Sequence, residues 1–200
     1  MTGVDAARSG AGPPAGGQPN TARRAAEVVL PGFVIGLGAG TLIGLLGVVG
    51  GMSAGQALAV TLILGIPLAL CGVLYDVLLV AGRMGIGTIA PAVAFWLPLF
   101  PLARLLNEVV ADAVAGNPIT IRDGIVAFLG YQALLSLGYA IGWVFLHDQL
   151  APLWWLRVRA RNPVAAGLIE RYAERAAAVE SSKAGRARPR PGRSGPRKKP

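Results

Sequence analysis

From Val28 to Ala81 the chain carries a single charged residue, Asp76. Soluble domains average about 25% charged residues. Here the share is 14% over 200 residues, gathered mostly toward the ends. A stretch so long and so poor in charge is suited to hydrocarbon rather than to a water-facing fold. Similar apolar runs follow, and the pattern predicts four spans, at 28–50, 57–81, 86–106 and 124–146. Each is close to or above the ~20 residues that cross a bilayer as a helix. Spanning strands alternate in polarity over only ~9–11 residues, so the expected fold class is an all-α membrane protein, a four-helix transmembrane bundle. Helices in lipid satisfy their own backbone groups. For the same reason Pro67, Pro91, Pro98 and Pro101 read as kinks rather than breaks. With three of them, the third span is the most bent.

Around the bundle the sequence predicts four regions. Residues 1–26, rich in Gly, Pro and Ala, read as a disordered cytoplasmic N-terminus. Residues 27–147 form the transmembrane domain. Residues 148–182 read as a juxtamembrane anchor followed by an amphipathic helix, and residues 183–200 as a disordered basic tail. Arg23-Arg24 before an apolar run resembles a secretion signal, but the run exceeds the ~7–15 residues of a signal core. Lys and Arg counts set the orientation. Four spans put both ends on one side, which then holds seventeen of the nineteen Lys and Arg residues, against two opposite. Both termini are therefore expected in the cytoplasm of a bacterial cell, with the bundle in the plasma (inner) membrane.

Pro31 to Gly51 contains eight glycines, although each interior glycine weakens a helix by ~1 kcal/mol against alanine. At 100° per residue, Gly32, Gly36, Gly40, Gly44, Gly47, Gly50 and Gly51 fall within an arc of about 120°. Gly38 alone lies outside it. Lipid gives helices no hydrophobic drive to associate, so a smooth face that admits another backbone takes its place. Gly36-x-x-x-Gly40-x-x-x-Gly44 repeats the GxxxG spacing, the pattern of a glycine zipper. Gly138-x-x-x-Gly142 in the fourth span, with Gly130 about two turns earlier, offers a partner, as do Gly65, Ala69 and Gly72 in the second. Packing within the chain and packing between copies both satisfy the pattern. "GLGAG" is not a nucleotide-binding loop, since no strand precedes it and no phosphate-binding cation follows.

A carboxyl group in a span needs a reason. Asp76, Arg83 seven residues on, and His147 all fall near the cytoplasmic end, so they are expected as one polar cluster. It serves either as a structural tie between spans two and four or as a proton or cation relay. Arg104, Glu108 and Asp112 share a face of a helix that runs on until Gly116-Asn117-Pro118; two carboxylates are too few for a calcium site. Asp123 reads as an N-cap. One histidine and one cysteine offer no zinc site, and neither metal nor cofactor is expected.

Trp154 and Trp155, followed by Arg157, Arg159 and Arg161, read as an interface anchor, indoles at headgroup depth and guanidiniums on anionic lipid. Asn162-Pro163 opens a helix with Val164, Leu168, Tyr172, Ala176 and Val179 as its apolar stripe, for the bilayer surface or a partner helix. The tail has eight basic residues and no acid from residue 183 onward. Anionic headgroups are its expected partner; without aromatic residues it has no means of specific nucleic-acid recognition. No nucleophile–base spacing marks an enzyme. The expected role is a non-catalytic structural or accessory component of a homo-oligomer or a larger membrane complex. The alternative is a small oligomeric transporter or proton pathway built on Asp76.

Overall fold

Four of the five helices in this computed structural model, which describes residues 18–121 and 123–187, are long and apolar enough to cross a membrane. They are α1 (Gln18–Val49), α2 (Ala54–Val80), α3 (Ile89–Ala115) and α4 (Gly124–Val158), followed by α5 (Pro163–Ala187). Among the described residues there is no strand. The predicted bundle is therefore observed, with longer helices than the apolar runs alone implied.

Each turn has a local cause. Gly51 has φ 95°, a left-handed conformation that favours glycine, so the α1 helix stops before the last two glycines of its run. Ser53 and Gln56 then form a reciprocal capping box at the start of α2: the Gln56 N–H donates to Ser53 Oγ at 3.3 Å and the Ser53 N–H to Gln56 Oε1 at 3.0 Å. Gly116, φ 70°, ends α3 where the Gly-Asn-Pro signal placed the stop. Asp123, however, makes no side-chain cap bond to α4, and its own φ is 62°. Asn162 does cap α5, its Oδ1 accepting from the N–H groups of Val164 at 3.2 Å and Ala165 at 3.4 Å.

The spans run up and down, and each packs on its neighbours in the order α1–α2–α3–α4, with α4 returning to α1. α1 and α2 form the tightest pair. A methyl group added at Gly32 would strike the Gly72 carbonyl; at Gly36, Leu68 and Ala69 backbone; at Gly40, Gly65 backbone; at Gly44, Thr61 and the Ala57 carbonyl. The glycine face is thus filled by α2 of the same chain. A methyl group at Gly47 would meet the Met52 side chain in the turn beyond rather than α2 backbone. The expected partner on α4 is absent: Gly130, Gly138 and Gly142 are exposed, with no atom near enough to meet an added methyl. α2 had already supplied matching small residues in the adjacent, short-looped position, so the glycines of α4 were left unpaired.

Three boundaries also differ. α1 begins at Gln18, inside the segment read as disordered up to residue 26, and side chains after α4 hold it two turns further on. Asn162 Nδ2 donates to the Arg24 carbonyl at 2.8 Å, and Arg161 pairs with Glu27 at 2.9 Å. α4 continues through the tryptophans to Val158, and α5 extends past residue 182 to Ala187. The rest of the predicted disordered regions, residues 1–17 and 188–200, lies outside the described residues, and with them most of the basic tail.

Candidate functional site

Pro31 sits inside α1. It has no N–H, so the Glu27 carbonyl four residues earlier loses its helical donor. The Trp154 indole N–H supplies the missing bond at 2.7 Å. The next rung is shared out in the same way. The Val28 carbonyl accepts from Trp155 Nε1 at 3.0 Å, and the Gly32 N–H donates to Asp76 Oδ2 at 2.8 Å. Two indoles of α4 and the carboxyl group of α2 thus gather around the proline break in α1.

The other Asp76 oxygen meets His147 Nε2 at 2.6 Å. Both side chains are essentially excluded from the surface, at 0% and 1% exposed. Three helices thus converge on one carboxyl group. Gly32 is suited to this place twice: its N–H faces the carboxyl oxygen, and a methyl group there would collide with Oδ2 as well as with Gly72. Aromatic rings complete the enclosure. Tyr75 meets the imidazole edge-on at 5.2 Å between centroids, Trp155 does so at 5.7 Å, and Trp143 stacks beside it at 6.1 Å. Such contacts favour a single ring orientation.

Of the predicted trio, Asp76 and His147 meet. Arg83 does not: it is exposed in the turn after α2, where chain reversal at Gly82, φ 72°, ends the helical register that would have aimed it back. The tryptophans of the expected interface anchor pack on α1. Trp155 is fully buried and Trp154 half-buried, their indole N–H groups donating to the Val28 and Glu27 carbonyls of α1. Arg161 is paired with Glu27, leaving Arg157 and Arg159 exposed and free of that contact. The roles of Gly32, Val28 and Glu27 were missed. The signal available for them was Pro31, which announces an unfilled carbonyl four residues before it.

α5 closes the same end. Its Arg171 donates to the Leu79 carbonyl at the α2 terminus at 2.5 Å, and Arg175 to the Gly87 carbonyl at 3.2 Å. Tyr172 donates to Asp148 at 2.9 Å. Burial, and then the adjacent Asp148 carboxylate, push the Tyr172 hydroxyl well above the usual tyrosine range. Leu168 is buried and Tyr172 half-buried, so the middle of the expected stripe rests on the bundle, while Val164 and Val179 stay exposed.

At the opposite end of the bundle, Arg104 pairs with Glu108 at 2.7 Å and donates to Asn107 at 2.8 Å. Asp112 accepts from the Thr120 N–H at 3.2 Å. These carboxylates are engaged within the chain, and no cluster of metal-binding side chains occurs among the described residues. Chemically, the centre at Asp76 is a satisfied carboxyl–imidazole pair with no open face. Comparison with protein-family models, curated proteins and solved structures gave no match to this chain.

Proposed function

We propose that this protein is a non-catalytic structural or accessory component of the bacterial inner membrane, with both termini cytoplasmic, acting in a homo- or hetero-oligomeric assembly. The observation that carries this reading is the state of Asp76. A relay needs a proton donor or acceptor with an exit, whereas both oxygens of Asp76 are committed, to His147 and to the Gly32 backbone, inside an aromatic enclosure. Such a centre fixes three helices against one another, as a scaffold requires. α5 adds a rigid cytoplasmic face bearing exposed charge, and the basic tail beyond it can attract anionic headgroups.

The experiment is affinity purification in mild detergent at native expression, with the mass of the intact eluate, alongside proton flux in liposomes. A stoichiometric assembly and no flux above empty liposomes is the expected result. A proton flux that Asp76→Asn abolishes while leaving folded protein in the membrane overturns it in favour of a proton pathway.

A further inference from the structure

Beyond the scaffold role, we infer that the aromatic rings of the bundle form a one-electron relay, which carries an oxidising equivalent from the buried indoles of Trp96 and Trp143 through Trp155 to Tyr172 in α5. The partner at the buried end is a one-electron oxidant in the bilayer, a photo-excited sensitiser or a strongly oxidising radical. The partner at the Tyr172 end is a small water-soluble reductant of the ascorbate kind.

The rings form a continuous ladder. Tyr139 meets Trp96 at 4.8 Å between centroids, and Trp96 meets Trp143 at 4.6 Å. Trp143 stacks on His147 at 6.1 Å, and His147 meets Trp155 at 5.7 Å, so the imidazole bridges two indoles. Trp155 then meets Tyr172 at 5.9 Å. Core packing alone accounts for rings in contact. The direction of the relay comes from a second observation, the placing of the proton acceptors.

An indole or phenol that has lost an electron is a strong acid, and it becomes neutral only where a base can take its proton. Trp96 Nε1, Trp143 Nε1 and the Tyr139 hydroxyl are buried without a hydrogen-bond partner. None of them has a group to receive its proton. Trp155 Nε1 faces the Val28 carbonyl, a very weak base. An electron lost from any of these rings therefore leaves a buried cation, which is costly in a low dielectric. Tyr172 differs, because its hydroxyl donates to Asp148 Oδ1 at 2.9 Å. When the Trp155 radical cation takes an electron from Tyr172, the hydroxyl proton passes to the Asp148 carboxylate. The products are a neutral indole, a neutral tyrosyl radical and a neutral carboxylic acid, so no buried cation remains. Beside Tyr172 opens a cleft of about 450 Å³, lined also by Ile86, Arg175 and Lys183. A reductant there returns one electron to the tyrosyl radical, and Asp148 returns the proton.

The test is laser photoionisation of the tryptophans in the full chain in detergent micelles, with nitrate in the buffer to trap the ejected electron. Transient absorption and electron paramagnetic resonance follow the radicals. In the wild type the indole radical should decay as a tyrosyl radical appears, and ascorbate should shorten the life of the latter. Tyr172→Phe keeps the ring without the hydroxyl. It should remove the tyrosyl radical and lengthen the life of the indole radical. Asp148→Asn removes the proton acceptor and should slow the transfer about tenfold, a barrier higher by about 1.4 kcal/mol. Trp155→Phe cuts the ladder and should slow it by a similar factor, whereas Tyr75→Phe, beside the ladder, should leave it unchanged. Absence of a tyrosyl radical in the wild type overturns the proposal. So does a tyrosyl radical that persists in folded Tyr172→Phe, or that forms at the wild-type rate in folded Asp148→Asn or Trp155→Phe. A radical insensitive to ascorbate overturns the exit at Tyr172.

Discussion

α1 shows two kinds of glycine. Gly32, Gly36, Gly40 and Gly44 are pressed against the backbone of α2, whereas Gly38, between them in sequence, opens on a groove. α4 repeats the open kind at Gly130, Gly138 and Gly142. The residue type is the same and the spacing of Gly138 and Gly142 matches that of Gly36 and Gly40. The difference teaches that GxxxG spacing makes a close approach available without requiring one. α2, tied to α1 by a short capped turn, reaches the glycine face first, and the glycines of α4 find no second smooth helix to meet.

The sharpest way to break that comparison is to put the same side chain on both sides of it. Gly36→Leu drives a side chain into Leu68 and Ala69 backbone, which cannot move aside, so overpacking costs at or beyond the usual ~1–3 kcal/mol. Little monodisperse protein should survive size-exclusion chromatography in mild detergent. Gly138→Leu, placed in open space, should elute as the wild type does. Equal yields from the two variants would mean that α1 and α2 do not meet along this seam.

Asp76→Ala comes next. Removing one member of a buried pair typically costs about 3–5 kcal/mol, and here it also strands the Gly32 N–H. The thermal transition in detergent should fall sharply. Adding His147→Ala should lower it much less than His147→Ala does in the wild-type background, since the two side chains act on each other. Full additivity would separate them.

Trp155→Phe keeps the ring but leaves the Val28 carbonyl without the indole donor, a loss of about 1–3 kcal/mol for a buried unpaired group. Amide exchange should quicken around Pro31 and Gly32 and stay unchanged in the glycine seam above. Uniform quickening would show that the proline break and the seam are one cooperative unit. The smallest effect has the opposite sign: Gly138→Ala should stabilise, by up to about 1 kcal/mol, because helix propensity improves with nothing to strike. Destabilisation would reveal a neighbour on that face, within an oligomer.

Charge depletion in the sequence was enough to specify four helices, since a backbone in hydrocarbon has no other way to satisfy itself without closing a barrel. The Gly116 stop, the Asn162 cap and the small-residue face of α1 were equally legible, because each is decided by a few adjacent residues. Asp76 was recognisable as a residue needing a partner, with Arg83 and His147 both offered by their shared depth near one end. What sequence could not show is which face each helix turns to which neighbour. That choice exposed Arg83, left Gly138 and Gly142 open, and turned the indoles of Trp154 and Trp155 onto α1. Depth in a membrane follows from counting residues along a helix. Partnership depends on rotation about its axis, which only the packed bundle fixes, here through the α1 carbonyls beside Pro31 that two indoles meet and the carboxyl group that three helices share.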